Sequence, residues 1–101
     1  MLFVNPRPRL LSMVMRDCPV PIDVAFLDAG GRVLSMHAMA VESPRRPDEK
    51  GADYERRLRE YPSGAPAQFA VETAGGRLAE LELEVGQRIV LDTRALLWRA
   101  R

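Results

Sequence analysis

Cysteine and histidine each occur once in this 101-residue sequence, as Cys18 and His37. A lone cysteine excludes an intrachain disulfide framework and any cysteine-built zinc site. A lone imidazole among distant carboxylates is a weak basis for a metal centre, so neither a metal nor another cofactor is expected. Neither sign of charge dominates: 15 Lys and Arg stand against 14 Asp and Glu, a net charge of +1. That balance supplies no overall field to attract nucleic acid, so none is expected as a partner and any basic surface must be local. Also missing is an apolar run near the roughly 20 residues that cross a bilayer, so no membrane contact is expected. The N-terminus lacks the basic-then-apolar order of a secretory leader, and the expected compartment is the cytoplasm. No internal repeat or low-complexity linker divides the chain. One domain over 1–101 is expected, with a β-rich core over 1–92, a surface loop over 42–53 and a basic, apolar tail over 93–101.

What is present reads as a series of short strands. Met1 to Val4 is apolar, and Asn5-Pro6-Arg7-Pro8 then breaks it, because prolines so closely spaced exclude a helix. Arg9 to Met15 alternates, with Leu11, Met13 and Met15 on one side, which suggests a strand. Asp17-Cys18-Pro19-Val20-Pro21 is a stiff extended connector, since each residue before a proline is pushed away from helix. Ile22, Val24 and Phe26 mark one face of a half-buried strand, and Asp28-Ala29-Gly30-Gly31 supplies the turn of a hairpin. Its partner strand runs from Arg32 to Val41, with Leu34, Met36, Ala38 and Ala40 sharing a face.

Glu42 to Asp53 is rich in proline and charge and reads as a mobile surface loop. Asp53 caps a short helix through Glu60, with Tyr54 and Leu58 at i and i+4, and Tyr61-Pro62-Ser63-Gly64 stops it. Gln68 to Thr73 is a strand that sets Phe69 and Val71 against Gln68, Ala70 and Glu72. A short helix over 76–81, a brief extended piece ending at Gly86 and a last strand from Gln87 to Asp92 complete the reading. The fold class is therefore α+β, predominantly β and antiparallel, with one or two short helices.

Met15-Arg16-Asp17-Cys18-Pro19-Val20-Pro21-Ile22-Asp23 and Phe26-Leu27-Asp28-Ala29-Gly30-Gly31-Arg32 together resemble the signature of the domain of unknown function 192 family. Met1-Leu2-Phe3-Val4, the Tyr61–Ser63 pair, Phe69-Ala70-Val71-Glu72 and Val85-Gly86-Gln87-Arg88-Ile89 are similar to further family segments in the same order. The resemblance implies a compact fold whose strands curl into a small barrel-like sheet, and it implies no activity. This chain starts after a segment that members usually carry, has Asp17-Cys18 where they have Asn-Thr, Met13-Val14 in place of an aromatic pair, and Gly30 in place of an acidic loop residue. A sheet without its opening strand exposes a backbone edge, which Pro6 and Pro8 partly blunt. A homodimer through edge pairing or tail exchange, with Trp98 in the interface, is the corresponding expectation.

Few residues offer chemistry. Asp17 and Asp23 flank the proline-stiffened connector, and two readings stay open: an acidic site for a cation, an amine or a hydroxylated ligand, or carboxylates that accept backbone N–H bonds. Cys18 sits beside Arg16 in sequence, and a nucleophile would also need His37 as its base; a buried inert thiol is the alternative. His37 alternates with Ser35 and Met39 on the less apolar strand face and reaches solvent in this reading. Asp28 to Gly31 is a turn rather than a phosphate cradle, since no helix and no Lys-Ser/Thr follows. Gly75-Gly76 is either a strand-to-helix turn or a small anion site. Arginine clusters at 45–46, 56–59 and 94–101 are interleaved with acids except in the tail, where Leu96, Leu97 and Trp98 lie among arginines.

The leading expectation is a non-enzymatic ligand-binding or protein-interaction module with no catalytic residue. Its binding surface would comprise Arg16, Asp17, Asp23, Asp28, Arg32 and His37. The alternative is a small enzyme with Asp17, Cys18, Asp23 and His37 in one pocket, which requires all four within hydrogen-bonding reach of one substrate. An arginine-driven nucleic-acid binder ranks third.

Overall fold

The computed structural model describes residues 1–89; Asp92, the tail over 93–101 and Trp98 lie outside the described residues. Six strands and two short helices follow one another along the chain. They are β1 (Leu2–Arg9), β2 (Ser12–Met13), β3 (Ile22–Leu27), β4 (Val33–Met39), α1 (Gly51–Arg57), β5 (Tyr61–Pro62), β6 (Ala67–Ala74) and α2 (Arg77–Glu80). Four strands form an antiparallel sheet in the order β1-β6-β3-β4, and β2 pairs with β5 in a separate two-stranded sheet. The fold is predominantly β with two short helices, as the sequence pattern predicts. The sheet is open rather than a closed barrel, with β1 and β4 at its edges.

β3 is the structural centre. Asp23, Val24, Ala25, Phe26 and Leu27 are all buried, so both faces of this strand are covered rather than the one that its alternation suggests. On one face Val24 and Phe26 pack with Met15, Met39, Tyr61, Ala67 and Ala70. On the other, Leu27, Val33 and Phe69 form a smaller cluster with half-buried Val4, Met36, Val71 and Ile89. Phe69 and Val71 thus share a face opposite to Ala70, as the sequence reading of that strand requires.

Three local readings change for identifiable reasons. β1 continues through Pro6 and Pro8, which an edge strand tolerates because its outward N–H groups need no partner. Its register breaks between Val4 and Arg9, and the buried Gln68 amide donates to the Asn5 and Pro6 carbonyls at 3.1 Å each, supplying bonds the ladder has lost. The expected strand from Arg9 to Met15 shrinks to two residues, because the preceding Leu11 already exchanges bonds with Ser63 through its N–H and its carbonyl. In β4 a bulge opposite Phe26 changes the parity of side chains. Leu34 packs with Met39 on the Phe26 face, Met36 joins the opposite cluster, and Ala38 and Ala40 are exposed.

The helices are short. α1 starts at Gly51 and ends where Leu58 turns extended, so Asp53 lies in its first turn, bonded to Arg56, instead of capping it. Residues 81–86 are two turns joined by irregular backbone at 83–84 rather than an extended piece, with Glu82 in the left-handed region at φ 55°. The last strand is reduced, among the described residues, to a bridge between Arg32 and Arg88. It holds residues 86–89 alongside the hairpin, through Val33 N–H to Gln87, Gly86 N–H to Val33 and Ile89 N–H to Gly31.

Gly31 is the tightest point of that junction. It sits at φ 85°, and a Cβ there would lie 2.3 Å from the Ile89 carbonyl oxygen. Gly31→Ala is therefore expected to destabilise the fold by about 2 kcal/mol or more in chemical denaturation, since strain and overlap add. Amides over 86–89 should lose hydrogen-exchange protection first; unchanged protection there would contradict this account.

A cleft between the proline connector and helix α1

The connector between β2 and β3 is clamped by two consecutive residues of α1. Tyr54, only 4% exposed, presents its hydroxyl to Asp17, accepting the Asp17 N–H at 3.0 Å and donating to Asp17 Oδ1 at 3.3 Å. Asp17 is thereby held at φ 49°, a conformation that aspartate tolerates better than most residues. One residue earlier, Arg16 makes a fork-to-fork ion pair with Glu55, at 2.5 Å from Nε and 2.7 Å from Nη2. The Arg16 hydrogen bond holds the Glu55 carboxyl below its usual range, and the pair raises the guanidinium in turn. Planar matching of this kind fixes orientation even where solvent screens the charge.

The opposite wall is Val41–Pro44, where the expected strand passes into the segment expected as a mobile loop over 42–53. That segment encloses a carboxylate instead of being wholly solvated. Glu49 accepts from Arg57 at 2.8 and 3.0 Å and from the Arg46 N–H at 3.1 Å, while its own carbonyl accepts from Arg45. Arg57 also reaches the Pro44 carbonyl and lies over the Tyr54 ring. The Arg57 hydrogen bond outweighs burial and lowers the Glu49 carboxyl to about 2. Glu42 accepts the Arg59 N–H. Between the walls lies a cleft of about 420 Å³ lined by Asp17, Cys18, Pro19, Val41, Glu42, Pro44 and Tyr54. It is mainly apolar, with two carboxylates and a phenol.

The residues singled out in the sequence do not converge. Arg16, Asp17 and Cys18 are at or beside this cleft. The Cys18 thiol donates to the Val20 carbonyl at 3.3 Å, and the neighbouring Arg16 is engaged by Glu55. Asp23 is 7% exposed and turns to the opposite face, where Oδ2 accepts the N–H groups of Gly76 at 2.9 Å and Leu78 at 3.3 Å. It acts as the missing N-cap of α2, whose own cap residue is a glycine, and this use accounts for Gly75-Gly76 as a turn. Asp28 folds over its own turn, accepting from Gly30 and Arg32 at 2.9 Å each. Arg32 donates to the Gly86 carbonyl at 2.7 Å. That turn begins five residues beyond Asp23, about 16 Å along a strand.

His37 does not point freely into solvent. It stands directly opposite Val24 in the ladder, its ring contacts Phe26 and Tyr61 edge-on, and Nε2 lies 2.8 Å from the Pro62 carbonyl. Ser35 likewise donates to the Ser63 carbonyl. The face that looks less apolar in sequence is covered by β5 and the adjoining Ser63, and the Pro62 and Ser63 carbonyls lie against these polar side chains. His37 and Asp23 therefore occupy opposite sheet faces. Among the described residues no three His, Cys, Asp or Glu side chains gather as a metal site needs.

Sequence reasoning missed Tyr54 and Glu55 as connector clamps, and Glu42 as part of the cleft. Tyr54 at i and i+4 with Leu58 signals only a buried helix face; the contact to Asp17 spans 37 positions and leaves no local trace.

The chain belongs to the DUF192 family, described as an uncharacterized ACR, which matches residues 1–91. No curated protein matches the chain. Two crystal structures share the fold. A protein of unknown function from Novosphingobium aromaticivorans DSM 12444 is similar with a TM-score of 0.69 and 25% identity, over 90% of this chain and 56% of that one. A Sinorhizobium meliloti 1021 protein described as a "putative transcription regulator" is similar with a TM-score of 0.66 and 24% identity, over 87% of this chain and 58% of that one. The chain thus spans a little over half the length of both.

Tyr54→Phe leaves the Asp17 amide and carboxylate without their shared partner and is expected to cost about 1–2 kcal/mol in urea denaturation, the usual penalty for an orphaned bond. A loss below about 0.3 kcal/mol would show that the clamp does not hold the connector. Glu49→Gln should lower the melting temperature at neutral pH. Because the folded carboxyl is depressed from 4.5 to about 2, its contribution is complete above 4.5 and disappears as pH falls towards 2. Melting curves of the two proteins should therefore converge across that window; a constant gap down to the low end would refute the assignment.

Proposed function

We propose that the chain is a non-enzymatic binding module whose ligand site is the cleft between the Arg16–Pro19 connector and Val41–Pro44. The supporting observation is the double clamp of Tyr54 and Glu55 on Asp17 and Arg16, which orders a polar corner beside an apolar wall. Ordered polar groups in a mainly apolar concavity are the usual makings of a small-molecule site. The Asp17 carboxylate takes one bond from Tyr54 and keeps acceptor capacity for an ammonium, a guanidinium or a hydroxyl carried on an apolar body. In this reading Asp17 meets the ligand and Arg16, held by Glu55, positions the connector, whereas Asp23, Asp28, Arg32 and His37 hold the scaffold.

Enzyme chemistry through Asp17, Cys18, Asp23 and His37 gains no support, since Asp17 and Cys18 line the connector cleft while Asp23 and His37 border a separate groove, their side chains bonded to the α2 backbone and set against the Pro62 carbonyl. A nucleic-acid role, which the description of the Sinorhizobium relative raises, is weakened by the pairing of Arg16, Arg56 and Arg57 with acids. No described helix is long and apolar enough to cross a membrane. A homodimer through a sheet edge completes the reading.

The test is an amide NMR titration with butylamine and, in parallel, 1,2-butanediol. Shifts should concentrate on Asp17, Cys18, Val41 and Tyr54 and weaken about tenfold in Asp17→Asn for the amine, the loss expected when a charge-assisted bond becomes neutral. Shifts spread evenly over the surface, or none with either probe, would overturn the proposal.

A further inference from the structure

We infer that the outer edge of β4 is a two-fold interface with a second copy of this chain, in a register that sets Met36 opposite Ala38 of the partner subunit. The two edges of the main sheet are not equivalent. β1 contains two prolines and a register break, both of which disfavour a further strand. β4 has neither proline nor any charged side chain among its seven residues.

The ladder fixes which groups of β4 are open. Ser35, His37 and Met39 are the residues that pair inward with Phe26, Val24 and Ile22. Val33 directs both of its backbone groups outward, to Gln87 and Gly86. Alternation then turns the N–H and carbonyl groups of Met36 and Ala38 outward as well, and among the described residues nothing bonds them. The free window has definite ends. On one side residues 86–89 already occupy Gly31–Val33; on the other, the Ala40 N–H donates to the Tyr61 hydroxyl.

A window from Leu34 to Met39, bounded in this way, selects its own partner. Two antiparallel copies related by a two-fold axis at His37 satisfy all four outward groups, Met36 of each copy bonding Ala38 of the other. No like charges meet across the pair, because the window has none. Beside Ala38 lies a mainly apolar groove of about 260 Å³, lined by Met36, Leu78, Ala79 and Leu83 together with Asp23 and His37. Directly opposed residues share a sheet face, so the same register carries Met36 of the partner subunit over this groove, and the reciprocal contact follows by symmetry. The interface is independent of the ligand cleft, which lies on the connector side of the sheet.

The experiment is sedimentation of the full chain between about 1 and about 100 μM, the range in which a short edge interface associates. The wild type should dimerise. Ala38→Lys and Ala38→Glu each place like charges near the axis and should weaken dimerisation at least about tenfold, with unchanged melting since Ala38 is exposed. Mixing the two variants should restore a mixed dimer, a rescue that misfolding cannot imitate. A wild type that stays monomeric at the highest concentration overturns the inference. So does a dimer that both variants leave intact, or one lost instead on Trp98→Ala, which would place the contact in the tail.

Discussion

Burial of β3 on both faces is the constraint from which the rest of the architecture follows. A strand from Asp23 to Leu27 with no exposed side chain needs a layer above and a layer below. The chain supplies them unequally. Met15, Met39 and Tyr61, with the small β2–β5 sheet, cover the Val24–Phe26 side, while α2 and residues 86–89 cover the other with fewer buried side chains. Fixing one polar side chain inside this arrangement, Asp23, is what seats α2: its carboxylate substitutes for a cap that Gly76 cannot provide.

The cleft depends on the same economy of long-range contacts. A connector with two prolines has few donors of its own, so it is positioned from outside, by the phenol and the carboxylate of α1. The helix in turn is anchored through Arg57 to Glu49, which draws residues 42–50 in as the second wall. The site is consequently a product of three segments far apart in sequence, and no short motif encodes it.

Much of the scaffold was legible in the residues. The hairpin of β3 and β4, the faces of β6 and the short helix at Arg77–Glu80 follow from alternation and turn chemistry, and the order of family-like segments predicts the predominantly β class. What failed did so where a tertiary contact overrode a local pattern. The bulge opposite Phe26 exchanged the faces of β4, so the apparent core stripe of Leu34, Met36, Ala38 and Ala40 does not exist. His37 and Ser35 looked solvent-facing because their acceptors, the carbonyls of Pro62 and Ser63, carry no side-chain signature. Of the six proposed binding residues, Asp17 lines the cleft and Arg16 lies beside it, held by Glu55; Asp23, Asp28 and Arg32 spend polar atoms on backbone groups, for Asp23 the structural alternative that the sequence left open.

The Gln68 amide has a consequence beyond its two bonds. By serving the carbonyls of Asn5 and Pro6, it lets proline-bearing backbone remain attached to the sheet while giving that border little to recruit a neighbour with. Growth of the sheet is thus polarised: whatever joins on the far side meets a terminus here. Strand-by-strand propagation into a fibre requires two receptive borders, and a border interrupted in this manner works against an endless ribbon.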